Sequence, residues 1–154
     1  MASLKKIISS AVALVLLIGN AMLPTYAFDG ADIEPYRSSY YLDSYRAWLE
    51  PKDDGYIDVI VDVQATGYMD EIGTTNIVIF ESVDDGENWE IVRAYASLLT
   101  PGMIENDKFI YYETPVSYEG IPGRMYIAIV TVYAGDSEGG DSRDYTTTPV
   151  YARY

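Results

Sequence analysis

Tyr56-Ile-Asp-Val-Ile-Val-Asp-Val-Gln-Ala65 is the stretch that decides the fold. Ile57, Val59, Val61, Val63 and Ala65 fall on one side at a period of two, and Asp58, Asp62 and Gln64 fall on the other. This is the pattern of a half-buried β-strand. A slip of one residue would carry both aspartates inward, so the register is well specified. Working upstream, Pro51–Gly55 has turn chemistry, and Tyr40–Leu49 alternates in part. Downstream, Thr66–Thr74 reads as a loop holding Gly67 and Gly73. The runs Asn76–Glu81 and Glu90–Tyr95 are rich in β-branched and aromatic residues and read as strands. Ser97–Asp107 is a longer connection. Lys108–Tyr118 is a strand whose Pro115 calls for an edge position or a bulge. Arg124–Ala134 is a long apolar strand, and Gly135–Asp144 reads as a glycine- and acid-rich loop. Tyr145–Tyr154 is a last strand, broken by Pro149.

The count is about seven strands with regular turn signals and no sustained helical period after residue 27. The expected fold is therefore all-β: a single immunoglobulin/fibronectin-III-like antiparallel β-sandwich over residues 40–154. A small barrel is the second choice. Residues 28–39 form a polar leader, expected to be flexible. Residues 1–27 have the layout of a secretory signal peptide. Lys5 and Lys6 precede the apolar run Ile7–Ile18, and Thr25-Tyr26-Ala27 supplies small residues for cleavage. Retention of that segment as an anchor is the alternative. The expected location is extracellular, with no stable membrane insertion once the leader is cut.

Two local resemblances bear on the fold. Ser82-Val-Asp-Asp-Gly-Glu-Asn-Trp89 matches Ser-x-Asp-x-Gly-x-x-Trp and resembles the Asp-box hairpin turn of sialidases and other β-propellers. The resemblance implies a structural turn in which Ser82 and the aspartates bond local backbone and Trp89 packs over it. Asn88 stands where that motif often has threonine, and one copy falls short of a propeller's repeats. Gly123-Arg-Met-Tyr126-Ile-Ala-Ile-Val130 resembles the opening of the penultimate strand of fibronectin type III domains. It implies a tyrosine corner at Tyr126, with Tyr126, Ala128, Val130 and Val132 inward and Met125, Ile127 and Ile129 outward. A strand apolar on both faces needs a cover on each, which the leader, a second copy or a partner would supply.

A broader resemblance runs from Tyr36 to Ala152. Ser39-Tyr40-Tyr41-Leu42, Gly73-Thr74-Thr75, the Ser82–Trp89 turn, Gly123–Tyr126 and Gly139–Arg143 are similar to a family of short secreted proteins of unknown function from Gram-positive, mostly anaerobic bacteria. That resemblance implies export and an Ig-like sandwich. It implies no activity and no site residues.

Composition removes whole classes of chemistry. The chain has no histidine and no cysteine. Ser-His-Asp and Cys-His mechanisms, histidine-ligated zinc, thiol nucleophiles and disulfides are thereby absent. The formal net charge is −14, and loss of the leader's two lysines makes it more negative. Nucleic acid and anionic membrane surfaces should repel such a chain. No cofactor is expected. Calcium is the one metal in view, with Asp136, Glu138, Asp141 and Asp144 as its ligands in an acidic loop. Sixteen tyrosines stand against three phenylalanines. Tyrosine joins a flat apolar ring to a polar tip, which suits contact surfaces. Tyr40, Tyr41, Tyr68, Tyr111, Tyr112 and Tyr151 are the rings read as exposed and able to meet an extracellular protein or glycan. The expected function is non-catalytic binding, of a cell-envelope, glycan or protein ligand. Self-association as a structural or matrix protein is the alternative, and a carboxylate-based glycoside hydrolase the remote one.

Overall fold

A computed structural model describes residues 39–154. The signal peptide expected over residues 1–27, and the leader as far as residue 38, lie outside the described residues. The elements are β1 (Leu42–Pro51), a 3-10 turn (Asp53–Gly55), β2 (Tyr56–Met69), β3 (Glu71–Ser82) and β4 (Glu90–Ala96). They continue with β5 (Ile104–Glu105), β6 (Lys108–Glu119), β7 (Met125–Asp136), β8 (Gly139–Thr146) and β9 (Val150–Tyr151). One sheet has the order β1-β2-β6. The other has the order β4-β3-β7-β8, with β5 added to β3 and β9 to β7. Every pairing is antiparallel. The chain crosses from the first sheet to the second between β2 and β3 and returns at β6. Two facing antiparallel sheets with these crossovers form an immunoglobulin/fibronectin-III-like sandwich.

The period-two face of β2 supplies the centre of the core. Ile57, Val59, Val61 and Val63 are buried, and they face Tyr126, Ala128, Val130, Val132 and Ala134 of β7. Ile72, Ile77 and Ile79 of β3 complete it. Pro115 sits where β6 bulges against β2, since Val59 pairs with Val116 but Val61 with Glu113. β6 is also an edge strand, so the missing N–H costs the sheet no ladder bond. Pro149 lies in the gap between β8 and β9, both paired with β7. Across that gap the Ala128 N–H donates to Thr147 Oγ1 at 2.9 Å.

The strand count exceeds the expected seven because the Ser97–Asp107 connection contains β5 and the last expected strand is divided into β8 and β9; two expected loops are also strand. Thr66–Thr74 is strand almost throughout: β2 runs to Met69, β3 starts at Glu71, and Asp70 alone joins them. Gly73 is a packing residue inside a strand. Its φ is +146°, and a Cβ there would lie 2.2 Å from the Met103 carbonyl oxygen. Gly135–Asp144 is likewise a hairpin rather than a loop. Gly135 and Gly140 form a cross-strand pair, and a Cβ on either would meet the Tyr133 hydroxyl, at 2.3 and 2.6 Å. These glycines make room for a ring, not for a bend.

One expectation about the outer face fails. Ile127 is 2% exposed, and Ile129 is half-buried. Ile127 pairs with Phe80, which is equally buried. The cover is the chain's own. The Ser82–Trp89 turn folds back so that Gly86 sits against Met125 Sδ and the Trp89 ring, 3.4 and 3.5 Å from where a Cβ would stand. The apolar outer side of β7 therefore gives no reason to invoke a partner at Ile127.

Candidate functional site

The two ends of the sandwich carry different sets of connections. At one end lie the turns Pro51–Gly55, Ser82–Trp89 and Gly120–Arg124, with the C-terminus. At the other, β1 begins, β2 meets β3 at Asp70, β5 meets β6, and β7 meets β8. The pairs Met69–Lys108, Glu71–Gly135 and Asp136–Gly139 fix that alignment. We call these the Asp-box end and the hairpin end.

At the Asp-box end the polar side chains of the turn and of Tyr126 are bonded to one another. Ser82 Oγ accepts the Gly86 N–H at 2.8 Å and donates to Asp84 Oδ1 at 2.8 Å. Asp84 also accepts the Asn88 N–H at 2.9 Å and its side-chain amide at 2.6 Å. Asn88 thus works in the turn through its amide. The Asn88 side chain and backbone, then Ser82, hold the Asp84 carboxyl below its ordinary value. Asp85 and Gly86 take the positive φ that the turn demands, at 57° and 92°. Beside this turn, the Ile121 N–H donates to the Tyr126 hydroxyl at 2.8 Å, and the Tyr126 hydroxyl donates to Glu81. Arg124 Nη1 reaches the other Glu81 oxygen at 2.6 Å. Tyr126 is completely buried, and burial, then the bond to Glu81, raises its pKa.

The hairpin end gathers most of the tyrosine and acid positions singled out from the sequence. The Thr66 hydroxyl donates to the Tyr40 carbonyl at 2.7 Å, and the Thr66 N–H donates to that of Tyr41 at 3.0 Å. This clamps the start of the described chain over β2, and the Tyr40 ring remains 90% exposed. Tyr41 lies against the β7–β8 hairpin, where a Cβ on Gly139 would stand 2.8 Å from its hydroxyl. Desolvation of that hydroxyl, then the carboxylates of Asp136, Glu138 and Asp141, raises its pKa. Tyr68 is 75% exposed and meets Phe109 edge-on at 5.1 Å. Leu98 and Leu99, in the turn after β4, are 95% and 87% exposed. The Ser97 N–H bonds the Thr75 carbonyl, which holds this turn beside the middle of β3, on the edge of the larger sheet between β4 and β5.

The other tyrosines lie elsewhere. Tyr111, expected to be exposed, is fully buried: it shares the inner face of β6 with Val116, and its hydroxyl donates to the Gly102 carbonyl at 2.7 Å. Tyr111 and Tyr112 are neighbours on a strand, so only one of them can face out. Tyr112 does, on the outer face of the three-stranded sheet, 6.1 Å from Trp48. Arg46 stacks over Trp48 at 5.1 Å and bonds Asp62 at 2.9 Å. Tyr151 is at the Asp-box end, its hydroxyl 3.1 Å from Asp85.

The four acids proposed for calcium are spread along a hairpin and mostly engaged. Asp136 accepts the Glu138 and Gly139 N–H groups and closes the turn. Asp141 accepts the Ser39 hydroxyl, with Arg143 3.9 Å away. Asp144 accepts the Thr131 hydroxyl at 2.7 Å. Among the described residues no group of three or more acidic side chains stands close enough to hold a metal ion. An open depression beside Arg46 is lined by Ser44, Tyr45, Arg46 and Asp62, with Asp62 its one carboxylate. Among the described residues no helix is long and apolar enough to cross a membrane.

Sequence reading missed Leu98, Leu99, Phe109 and Trp48. A Leu-Leu pair beside Pro101-Gly102 carries its own signal, because leucines in a turn have no strand face to enter. No protein-family model matches the chain, and no curated protein is similar to it in sequence.

Proposed function

We propose that this is an exported, non-catalytic binding module whose hairpin end makes contact with an extracellular partner. The observation that carries this reading is the exposure of Tyr40 and Tyr68 at the hairpin end and of Leu98 and Leu99 on the edge turn beside β3, all more than two-thirds exposed. An adjacent Leu-Leu pair that is almost wholly exposed is more than the single exposed apolar residue ordinary on protein surfaces. The ends of sandwich strands are also a common place for recognition, because loops there vary without disturbing the core. Export is supported by the layout of residues 1–27 and by the resemblance to short secreted proteins of Gram-positive bacteria.

The test is retention of the mature chain on a cell-envelope fraction of a Gram-positive bacterium and on a glycan array. The variant pair Tyr40→Ala/Tyr68→Ala and the pair Leu98→Ser/Leu99→Ser are run beside it. Retention that falls about tenfold in both variants supports the reading. Retention unchanged in both removes the hairpin end from the account. Sedimentation of the same material addresses self-association, for which a clean monomer at high concentration is the contrary result.

A further inference from the structure

We infer that the outer face of the three-stranded sheet is a second binding site, and that it takes a neutral saccharide. This site lies apart from the hairpin end and does not depend on the reading given above. Strand parity builds it. Ala47, Val61 and Tyr111 point into the core, so Arg46, Asp62 and Tyr112 point out. Register sets those three side by side across β1, β2 and β6, and the next outward pair along is Trp48 with Ile60. The Trp48 and Tyr112 rings meet across β2 at 6.1 Å, with 47° between their planes. Ile60 is only 8% exposed, whereas Tyr112 is 57% exposed. Trp48 is half-buried and serves partly as a cover. Tyr112 is the ring presented to solvent.

The polar half adjoins it. Arg46 lies over Trp48 at 5.1 Å and donates through Nε to Asp62 at 2.9 Å. This ion pair fixes the guanidinium beside the rings and cancels the charge of the site. The same two side chains, with Ser44 and Tyr45, line an open depression of about 410 Å³, within the size range of small-ligand sites. A stacking ring and a polar hollow thus adjoin at Arg46 and Asp62. A pyranose matches both halves: its C–H face is apolar and packs on a ring, and its rim of hydroxyls donates and accepts. Arg46 only donates, Asp62 only accepts, and Ser44 does both. A protein partner asks for a continuous apolar centre, and here Arg46, Asp62 and Gln64 interrupt the apolar surface. The net charge of −14 disfavours an anionic polysaccharide. The saccharide is held rather than cut, since glycoside hydrolysis calls for two facing carboxylates and the depression is lined by one.

The experiment titrates isotope-labelled mature chain with soluble oligosaccharides of glucose, of mannose and of N-acetylglucosamine, and with an oligogalacturonate as the anionic probe. Amide shifts and calorimetric affinity are read at low and at physiological salt. The expected result is binding of at least one neutral oligosaccharide, indifferent to salt, with shifts centred on residues 44–48, 60–64 and 110–112. Tyr112→Ala should weaken it about tenfold, the loss of one stacked ring, and Tyr112→Phe should keep most of it. No localised shift with any neutral probe, shifts centred elsewhere, or a preference for oligogalacturonate overturns the inference. Equal losses in Tyr112→Ala and Tyr112→Phe also overturn it, because the ring is then not the contact. If Tyr112→Ala lowers envelope retention while every oligosaccharide is silent, the face docks a protein and the saccharide assignment is wrong. The hairpin end is judged separately, since Tyr40→Ala/Tyr68→Ala should leave oligosaccharide affinity unchanged. If that variant abolishes the affinity and Tyr112→Ala does not, this inference falls and the hairpin end stands.

Discussion

The two ends of this sandwich are built from similar residues, and the groups at the centre of each are used differently. Both are acidic and both carry tyrosines. At the Asp-box end Asp84, Glu81 and Tyr126 are bound into local networks, and Gly55 and Gly120 let backbones and a ring approach closely. At the hairpin end Asp70 and Glu138 have no ion-pair partner, and Tyr40 and Tyr68 show most of their rings to solvent. The difference teaches that the number of tyrosines and aspartates says little about function. What matters is whether the groups are satisfied within the chain.

The largest expected contrast is in stability. Tyr126→Ala removes a fully buried ring and both of its hydrogen bonds, and should cost about 3–5 kcal/mol in chemical denaturation. Tyr40→Ala at the opposite end should change stability by no more than about 0.5 kcal/mol. Equal losses at the two ends would erase the distinction drawn here.

A pair of glycines sharpens it. Gly55 has φ +84°, and a Cβ there would lie 2.4 Å from the Gly120 carbonyl oxygen. Gly55→Ala should therefore destabilise by about 1–3 kcal/mol. Gly67 has open space around it, so Gly67→Ala should be neutral or stabilise by a few tenths, through the unfolded chain. Thermal melts of the two variants check both.

Next in size is the turn itself. Ser82→Ala removes the oxygen that accepts the Gly86 N–H and donates to Asp84, at a cost of about 1–2 kcal/mol. Acid adds a smaller effect through Asp84. Its carboxyl is held below the ordinary value, so its contribution is present above that value and is lost as pH falls through the lowered one. Alkali works the other way. Tyr126 and Tyr111 are both raised, chiefly by burial. Their stabilising contribution is complete below pH 10, the ordinary tyrosine value, and is lost as pH rises above it. A denaturation series from about pH 8 upward should thus fall beyond about pH 10, and a flat profile would contradict the buried hydroxyls. The smallest expected effect is that of calcium. Millimolar calcium should leave the melting temperature of the mature chain unchanged, since Asp136, Asp141 and Asp144 already have partners.

The core is legible in the sequence because β2 and β7 have to fill one face each. Alternation at Ile57–Ala65 and the glycine-tyrosine opening of β7 place nearly every inward residue correctly. The strand length at Thr66–Thr74 and Gly135–Asp144 is hidden for one reason: a glycine in a polar stretch looks like a bend. Gly73, Gly135 and Gly140 sit in paired strands, where they admit the Met103 carbonyl or the Tyr133 ring, and no local pattern reveals which distant group will need that room. The candidate site is half visible. Tyr40, Tyr41, Tyr68 and the acids of the β7–β8 hairpin stand out singly. Their assembly at one end depends on the crossover between sheets, which no local pattern states. Tyr111 is misplaced for a simpler reason, since strand parity sends Tyr111 and Tyr112 to opposite faces.

The most direct test measures melting temperature and envelope retention together on two variants, Tyr40→Ala/Tyr68→Ala and Ser82→Ala. A division of labour between the ends predicts that the tyrosine variant keeps its melting temperature and loses retention. Ser82→Ala should do the reverse, melting earlier while still binding below its transition. Both properties moving together in either variant, or retention lost only in Ser82→Ala, would contradict it.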